Sequence, residues 1–397
     1  MELRLENAAL LLLIAAVVAI LTRRLRLPYS VGLVGAGIVL AILPIGPGIS
    51  LTREFLFTAL LPPLLFEAAF HINWDELRRD LPVIIVLATA GVVLSAAATT
   101  VGLHFLGRWS WLAALVFGVL IAATDPVSVV ATFKEAGARG RLLLLVESES
   151  LLNDATAATA FGLAVAIATG HSIGAFQTVV AVLVNIGGGL VCGAFVATGA
   201  LLLAGRTDDH LVEITFTTVA AYGSFLLASH LQFSGVLATI TAGLMVGRWR
   251  FVISHRGQEA VDAFWEYAAF VANSFVFLLI GMHEARQDFS VIWLPAAIAI
   301  AVVTAGRALA IYPCCLLFSR SRLRVRRTHQ LVLFWGGLRG ALALALALGL
   351  PPEVPQHEEI IAVSFAVVAF SVFVQGLTMT PLLRRVGEIP ARKPAAG

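Results

Sequence analysis

Residues 147–157 read ESESLLNDATA, with two glutamates, two serines, an asparagine and an aspartate between Glu147 and Asp154. The apolar run Leu142 to Val146 precedes them and ATAFGLAVAIA follows. Such a stretch is long enough to cross a bilayer, which takes about 20 apolar residues as a helix. Ionisable groups at that depth mark a functional site by default, because hydrocarbon offers them no partner.

The rest of the chain has the same character. Of 397 residues, 59% are hydrophobic and 13% charged, with a mean hydropathy of +0.93. Soluble domains are roughly 45–50% apolar and about 25% charged, so an all-α polytopic membrane protein is expected. Breaking the chain at polar and Pro/Gly clusters gives thirteen apolar segments between residues 7 and 383. The third is 53–70, the fifth 111–133, the sixth 142–169, the eleventh 290–318 and the twelfth 328–349. Little is left for a soluble part, and residues 1–397 read as one transmembrane domain. Cys192, Cys314 and Cys315 lie inside apolar segments, which speaks against a disulfide framework or a CxxC metal site. No cleavable signal peptide is read at the acidic start.

Thirteen spans put the termini on opposite sides of the bilayer. With the N-terminus outside, 21 of the 27 Lys and Arg residues fall on the inner side, 4 on the outer and 2 within spans. Basic residues collect on the cytoplasmic face, so the chain is expected N-out and C-in. Its pI of 9.0 then reflects inner-leaflet anchoring rather than nucleic-acid binding.

The segments also suggest a duplication. Corresponding spans recur at offsets of about 204 to 216 residues, a plan of six spans, a linking span and six inverted spans. The expected boundaries are 1–170 for the first repeat, 171–208 for the linking helix and 209–397 for the second repeat. Each repeat carries an interruption. Ala123-Thr124-Asp125-Pro126 breaks the fifth segment, since proline lacks an N–H and clashes with the preceding turn. Gly336-Gly337-Leu338-Arg339-Gly340 loosens the twelfth, and Asp125 and Gly337 stand 212 residues apart. Irregular backbone at membrane depth is tolerated only where protein or a cavity satisfies it.

The interior charges are Glu67, Asp125, Glu149, Asp154, Arg307 and Arg339. Each costs roughly 2.5–3.5 kcal/mol at a helix centre, so they must be paired, hydrated or protonated. Ser150 and Asp154 are four apart and share a helix face, while Glu149 and Asn153 share the neighbouring stripe. Asp154 lies roughly 18 Å along the helix from Leu142, too deep to snorkel. Glu147, nearer the inner end, reads as a helix-terminus acid. Arginine keeps its proton, so Arg339 needs a fixed anion, and Glu149 is the expected one. Arg307 is expected to cap carbonyls freed at a helix break. For Glu67, lining an ion path and an acid at the rim remain open alternatives. Asp125, Asp154, Ser150 and freed carbonyls make a hard-oxygen set suited to Na⁺, Li⁺ or H⁺. Most histidines, His71 among them, read as surface residues.

Together, Ala123-Thr124-Asp125-Pro126, Glu149-Ser150-Leu151-Leu152-Asn153-Asp154-Ala155 and Gly336-Gly337-Leu338-Arg339-Gly340-Ala341 resemble the NhaP/NHE branch of cation/proton antiporters. Phe264-Trp265-Glu266 leading to Ala272-Asn273-Ser274, and Val374-Gln375-Gly376-Leu377-Thr378, are also similar to that family. The resemblance implies an NhaA-like fold of thirteen helices in inverted six-helix repeats, with two discontinuous crossing helices. Mobile core helices, within 82–170 and 290–385, would move against a dimerisation domain. It implies cation and proton binding by Asp154, aided by Asp125, Ser150 and Thr124, with Glu67 contributing. Glu149, Asn153, Arg339 and Arg307 would support that site. An uncharged Asn153 resembles the electroneutral branch, one cation for one proton.

The implied function is Na⁺/H⁺ exchange, with Li⁺ also carried, in a homodimer of a bacterial plasma membrane. No cofactor and no nucleic acid are implied. A K⁺/H⁺ antiporter on the same scaffold is the alternative. An intramembrane aspartyl protease would show Gly-x-Gly-Asp, which neither Asp125 nor Asp154 has. The long regulatory tail of many eukaryotic relatives is not expected, since the sequence stops soon after Arg385.

Overall fold

The computed structural model describes residues 5–25, 27–42, 52, 54–125, 130, 133, 140–170, 174–285 and 289–389. Among them the fold is all-helical. Eight helices are long and apolar enough to cross a membrane, including Trp74–Leu106, Arg141–Ala168, Phe176–Ala204 and His357–Arg385. Four shorter apolar helices accompany them: Tyr29–Ile42, Phe55–His71, Trp111–Leu120 and Gly235–Arg248.

Local chemistry sets where these helices begin. Asn73 caps Trp74–Ala88, its Oδ1 accepting from the amides of Asp75 (2.9 Å) and Glu76 (3.3 Å). The two acids in that first turn then complement the helix dipole. Ser110, Ser234 and Ser254 cap later helices in the same way. Helix Trp74–Ala88 therefore starts well before the apolar stretch of its span. Its polar first turns stay helical because Asp80, buried, accepts from Arg141 Nε (2.9 and 3.0 Å) and Nη2 (2.6 Å). Arg141 also donates to the carbonyls of Leu323 and Arg324, both at 2.8 Å. One guanidinium thus fastens three separate parts of the chain at the same level.

The predicted interruptions are real breaks. In the fifth segment helix Trp111–Leu120 ends and residues 121–125 are not helical, and the twelfth divides into Arg327–Trp335 and Ala341–Leu348. Pro126, the residue on which the first break was argued, lies outside the described residues, as do most positions to Arg139.

One large apolar core joins the helices around Val83, Ala113, Leu145, Val303 and Val363. A second gathers Leu11, Leu33, Val276 and Phe365 from the N-terminal pair, helix His255–Glu284 and helix His357–Phe370. A cavity opens between helices of these two groups.

Candidate functional site

The two breaks meet. After Leu120 the chain unwinds, and the Asp125 amide donates to the Leu338 carbonyl at 2.7 Å. Asp125 and Leu338 form an isolated antiparallel bridge, so irregular backbone at membrane depth is satisfied by irregular backbone. Where the first helix ends, Arg339 Nη1 donates to the freed carbonyls of Ala122 (2.8 Å) and Ala123 (3.2 Å). A cation there also answers the negative end of helix Trp111–Leu120.

This corrects the Glu149 partner expected from sequence, while the capping expected of Arg307 is met at the Leu333 carbonyl, in the last turn before the second break. Arg339 does not pair with Glu149. Arg307 does, through Nη1 to Oε1 (2.8 Å) and Nη2 to Oε2 (3.0 Å), a bidentate pair buried on both sides. The second nitrogen also reaches the Leu333 carbonyl at 3.0 Å. Arg339 stands within the break itself, where unpaired carbonyls lie closest, whereas Arg307 approaches from helix Phe289–Leu317 with its fork aimed at the Glu149 face.

From Glu149 a polar chain runs to the crossing. Asn153 Nδ2 donates to Glu149 Oε1 and to Thr124 Oγ1, and Thr124 Oγ1 donates to Ser150 Oγ, each at 3.2 Å. Glu149, Ser150, Asn153 and Thr124 are all buried. Ser150 therefore stands behind Thr124 and is not part of the cavity wall, although Asp154 on its own stripe is.

That cavity has a volume of about 390 Å³. Asp154, Asp125 and Thr124 line it from the crossing, and Glu67 from helix Leu61–His71. One carboxylate oxygen of Asp154, Oδ1, is buried with no hydrogen-bond partner. An ionised carboxylate oxygen buried in this way is costly unless it is protonated or meets a cation.

Three further groups line the cavity that sequence reasoning left aside. Glu147, read as a helix-terminus acid, stands on the wall, as does Glu266. His71, read as a surface residue, is also there, with Nδ1 2.9 Å from the Glu67 carbonyl and 3.2 Å from its Oε1. Spacing carried a usable signal: Glu147 and Asp154 are two helical turns apart, as are Glu266 and Asn273, which lines the wall too. Chemically, the arrangement is a largely apolar cavity with a cluster of hard oxygens at the crossing, a donor set suited to a proton or a small cation.

Comparison with known proteins gives a consistent result. The family described as sodium/hydrogen exchanger, transmembrane, matches residues 11–385. The Na(+)/H(+) antiporter ApNhaP of Aphanothece halophytica is 37% identical over 374 residues, which cover 92% of this chain and 71% of that protein. Na(+)/H(+) antiporter NhaP of Pseudomonas aeruginosa is 32% identical over 412 residues, 94% of this chain and 96% of the relative. The solved structure of the sodium proton antiporter MjNhaP1 from Methanocaldococcus jannaschii at pH 8 superimposes with a TM-score of 0.76 at 19% identity. It covers 96% of this chain and 98% of the other, a likeness of fold.

Proposed function

Since this chain belongs to the sodium/hydrogen exchanger family, we propose that it is a membrane antiporter exchanging Na⁺ for H⁺ by alternating access, with Asp154 as the shared binding group. The observation that carries this reading is the unpartnered Asp154 Oδ1 at the crossing of two unwound helices, in one cavity with Asp125. Asp125, Thr124 and Glu67 supply further oxygens from the same wall, and Ser150 orients Thr124 from behind. Arg307 and Glu149 brace the Asp154 helix, Arg339 holds the broken backbone, and Asn153 ties the two arrangements together. Na⁺ leads over K⁺ because the relatives are named for Na⁺, and neither the transport nor the site calls for a cofactor.

The architecture we propose is thirteen spans in two inverted repeats. Eight long helices, four shorter apolar ones and the divided pair Arg327–Trp335 and Ala341–Leu348 are consistent with that number. The meeting of Asp125 with Leu338 supports a repeat that places two breaks at one depth. The same reading takes the protein to be a homodimer of a bacterial plasma membrane, N-terminus outside. Helices within 82–170 and 290–385 would form the moving core.

Exchange should be electroneutral. Glu149 is matched by Arg307 and Asn153 is uncharged, so neither adds an exchangeable charge beside the cavity acids. In this reading Asp154 carries one proton or one cation while Asp125 and Glu67 keep their charge through the cycle. Purified protein in liposomes should therefore exchange Na⁺ for H⁺ at equal rates with the potential clamped at zero or at about −100 mV. One net charge moved would be worth about 2.3 kcal/mol there, a difference no assay would miss. A voltage-dependent rate rejects the one-for-one stoichiometry, and a K⁺ rate above that of Na⁺ rejects the cation assignment.

A further inference from the structure

Gly340 lies on the wall shared by Asp125 and Asp154, at the point where the second break turns into helix Ala341–Leu348. A Cβ placed there would overlap three atoms of Asp125: Oδ2, Cβ and Cγ. At Gly337, three residues earlier in the same break, the added carbon would meet the Arg307 guanidinium instead. Two glycines of one motif thus guard different partners, one the brace and one the carboxylate.

Asp125 has little freedom to yield. Its amide is held to the Leu338 carbonyl at 2.7 Å, two residues from Gly340 on the opposing strand of the crossing. Rotation about χ1 moves the carboxylate but leaves Cβ in place, so turning the side chain cannot relieve the overlap at Cβ. Among the described residues, the cavity of about 390 Å³ that Asp125 lines offers room to a displaced carboxylate, and its wall also carries Asp154. Any side chain at 340 therefore drives Asp125 into the space between the two acids.

We propose that the missing side chain at Gly340 sets the separation of the Asp125 and Asp154 carboxylates, and through it which alkali cation the site prefers. The inference rests on the reading that these two acids face the transported ion. Oxygen-ligand sites discriminate hard cations by cavity size and ligand flexibility. A site with its carboxylates pressed together accommodates Li⁺ better than Na⁺, and Na⁺ better than K⁺. Gly340 is a positioning residue in this scheme, with no contact to the ion required of it.

The test uses the full chain in liposomes with an imposed pH gradient and Li⁺, Na⁺ and K⁺ in turn. What is read is the ratio of KM for Li⁺ to KM for Na⁺, which does not depend on the fraction of protein that is folded. Gly340→Ala should lower that ratio about tenfold, the discrimination that one methylene confers in a fitted site. Gly337→Ala should leave the ratio where it is, whatever it does to the rate. Should Gly340→Ala fail to fold, Asp125→Glu extends the carboxylate into the cavity from an unaltered backbone and should lower the ratio likewise. An unchanged or raised ratio overturns the proposal, as does an equal shift in Gly337→Ala. Asp125→Asn separates this from the underlying reading. If it still exchanges Na⁺ normally, the cation site itself is misplaced and the inference falls with it; if it is inactive while Gly340→Ala leaves the ratio fixed, only the role of Gly340 falls.

Discussion

Asp154→Asn is expected to abolish both Na⁺ binding and the proton release that Na⁺ addition causes, while leaving a folded protein. The asparagine side chain has nearly the shape of the acid and keeps one acceptor oxygen. It can neither ionise to meet a cation nor carry a proton to exchange for one. Because Asp154 Oδ1 has no hydrogen-bond partner, the substitution breaks no contact at that atom, and the melting temperature should fall little. On the proposed reading, proton and Na⁺ compete for one group in the unaltered protein, and linkage makes each weaken the other by the same factor. In the acid range where that group is protonated, apparent Na⁺ affinity should then fall about tenfold per pH unit, with much less change in maximal rate. Isothermal titration of detergent-solubilised protein across a pH series, with a pH dye reporting released protons, measures both. A flat affinity, or protons still released by Na⁺ from Asp154→Asn, would place the exchange elsewhere.

The second large effect concerns Glu149 and Arg307. Both are buried, and each is the other's bidentate partner at 2.8 and 3.0 Å. Removing one partner strands a charge in a site that cannot hydrate it, a loss of about 3–5 kcal/mol, whereas removing both costs less. Arg307→Ala and Glu149→Gln should each lower the melting temperature in detergent sharply. The double variant Glu149→Gln with Arg307→Gln should recover part of that loss. Arg339→Gln combined with Glu149→Gln should show no such recovery, because Arg339 serves the carbonyls of Ala122 and Ala123 instead. Additive losses in the Glu149 and Arg307 cycle, or recovery in the Arg339 one, would reverse the assignment.

Much of this molecule is written locally. A run of about 20 apolar residues declares a membrane helix wherever it occurs, because hydrocarbon leaves the backbone no other way to satisfy itself. The breaks were legible for the same kind of reason, in the proline after Asp125 and the glycines around Leu338. So was the depth of Asp154, which is counted along one helix. Helical spacing likewise fixed that Glu149 and Asn153 share a stripe, and the two are hydrogen-bonded at 3.2 Å. What only tertiary structure decided was which face meets which. Arg307 and Arg339 are both buried and both in need of an anion or carbonyl, and although Arg339 sits in the glycine-rich break, nothing along the chain says which of them faces Glu149. The rotation of helix Phe289–Leu317 turned one toward Glu149, and the meeting of the two breaks turned the other toward Ala122. Glu147, His71 and Glu266 came to the cavity by the same route, being polar residues toward span ends that line its wall once helices far apart in the chain meet. Periodicity determines what a helix presents, but the partner it presents it to is fixed by packing between segments far apart in the chain, and that information is not local.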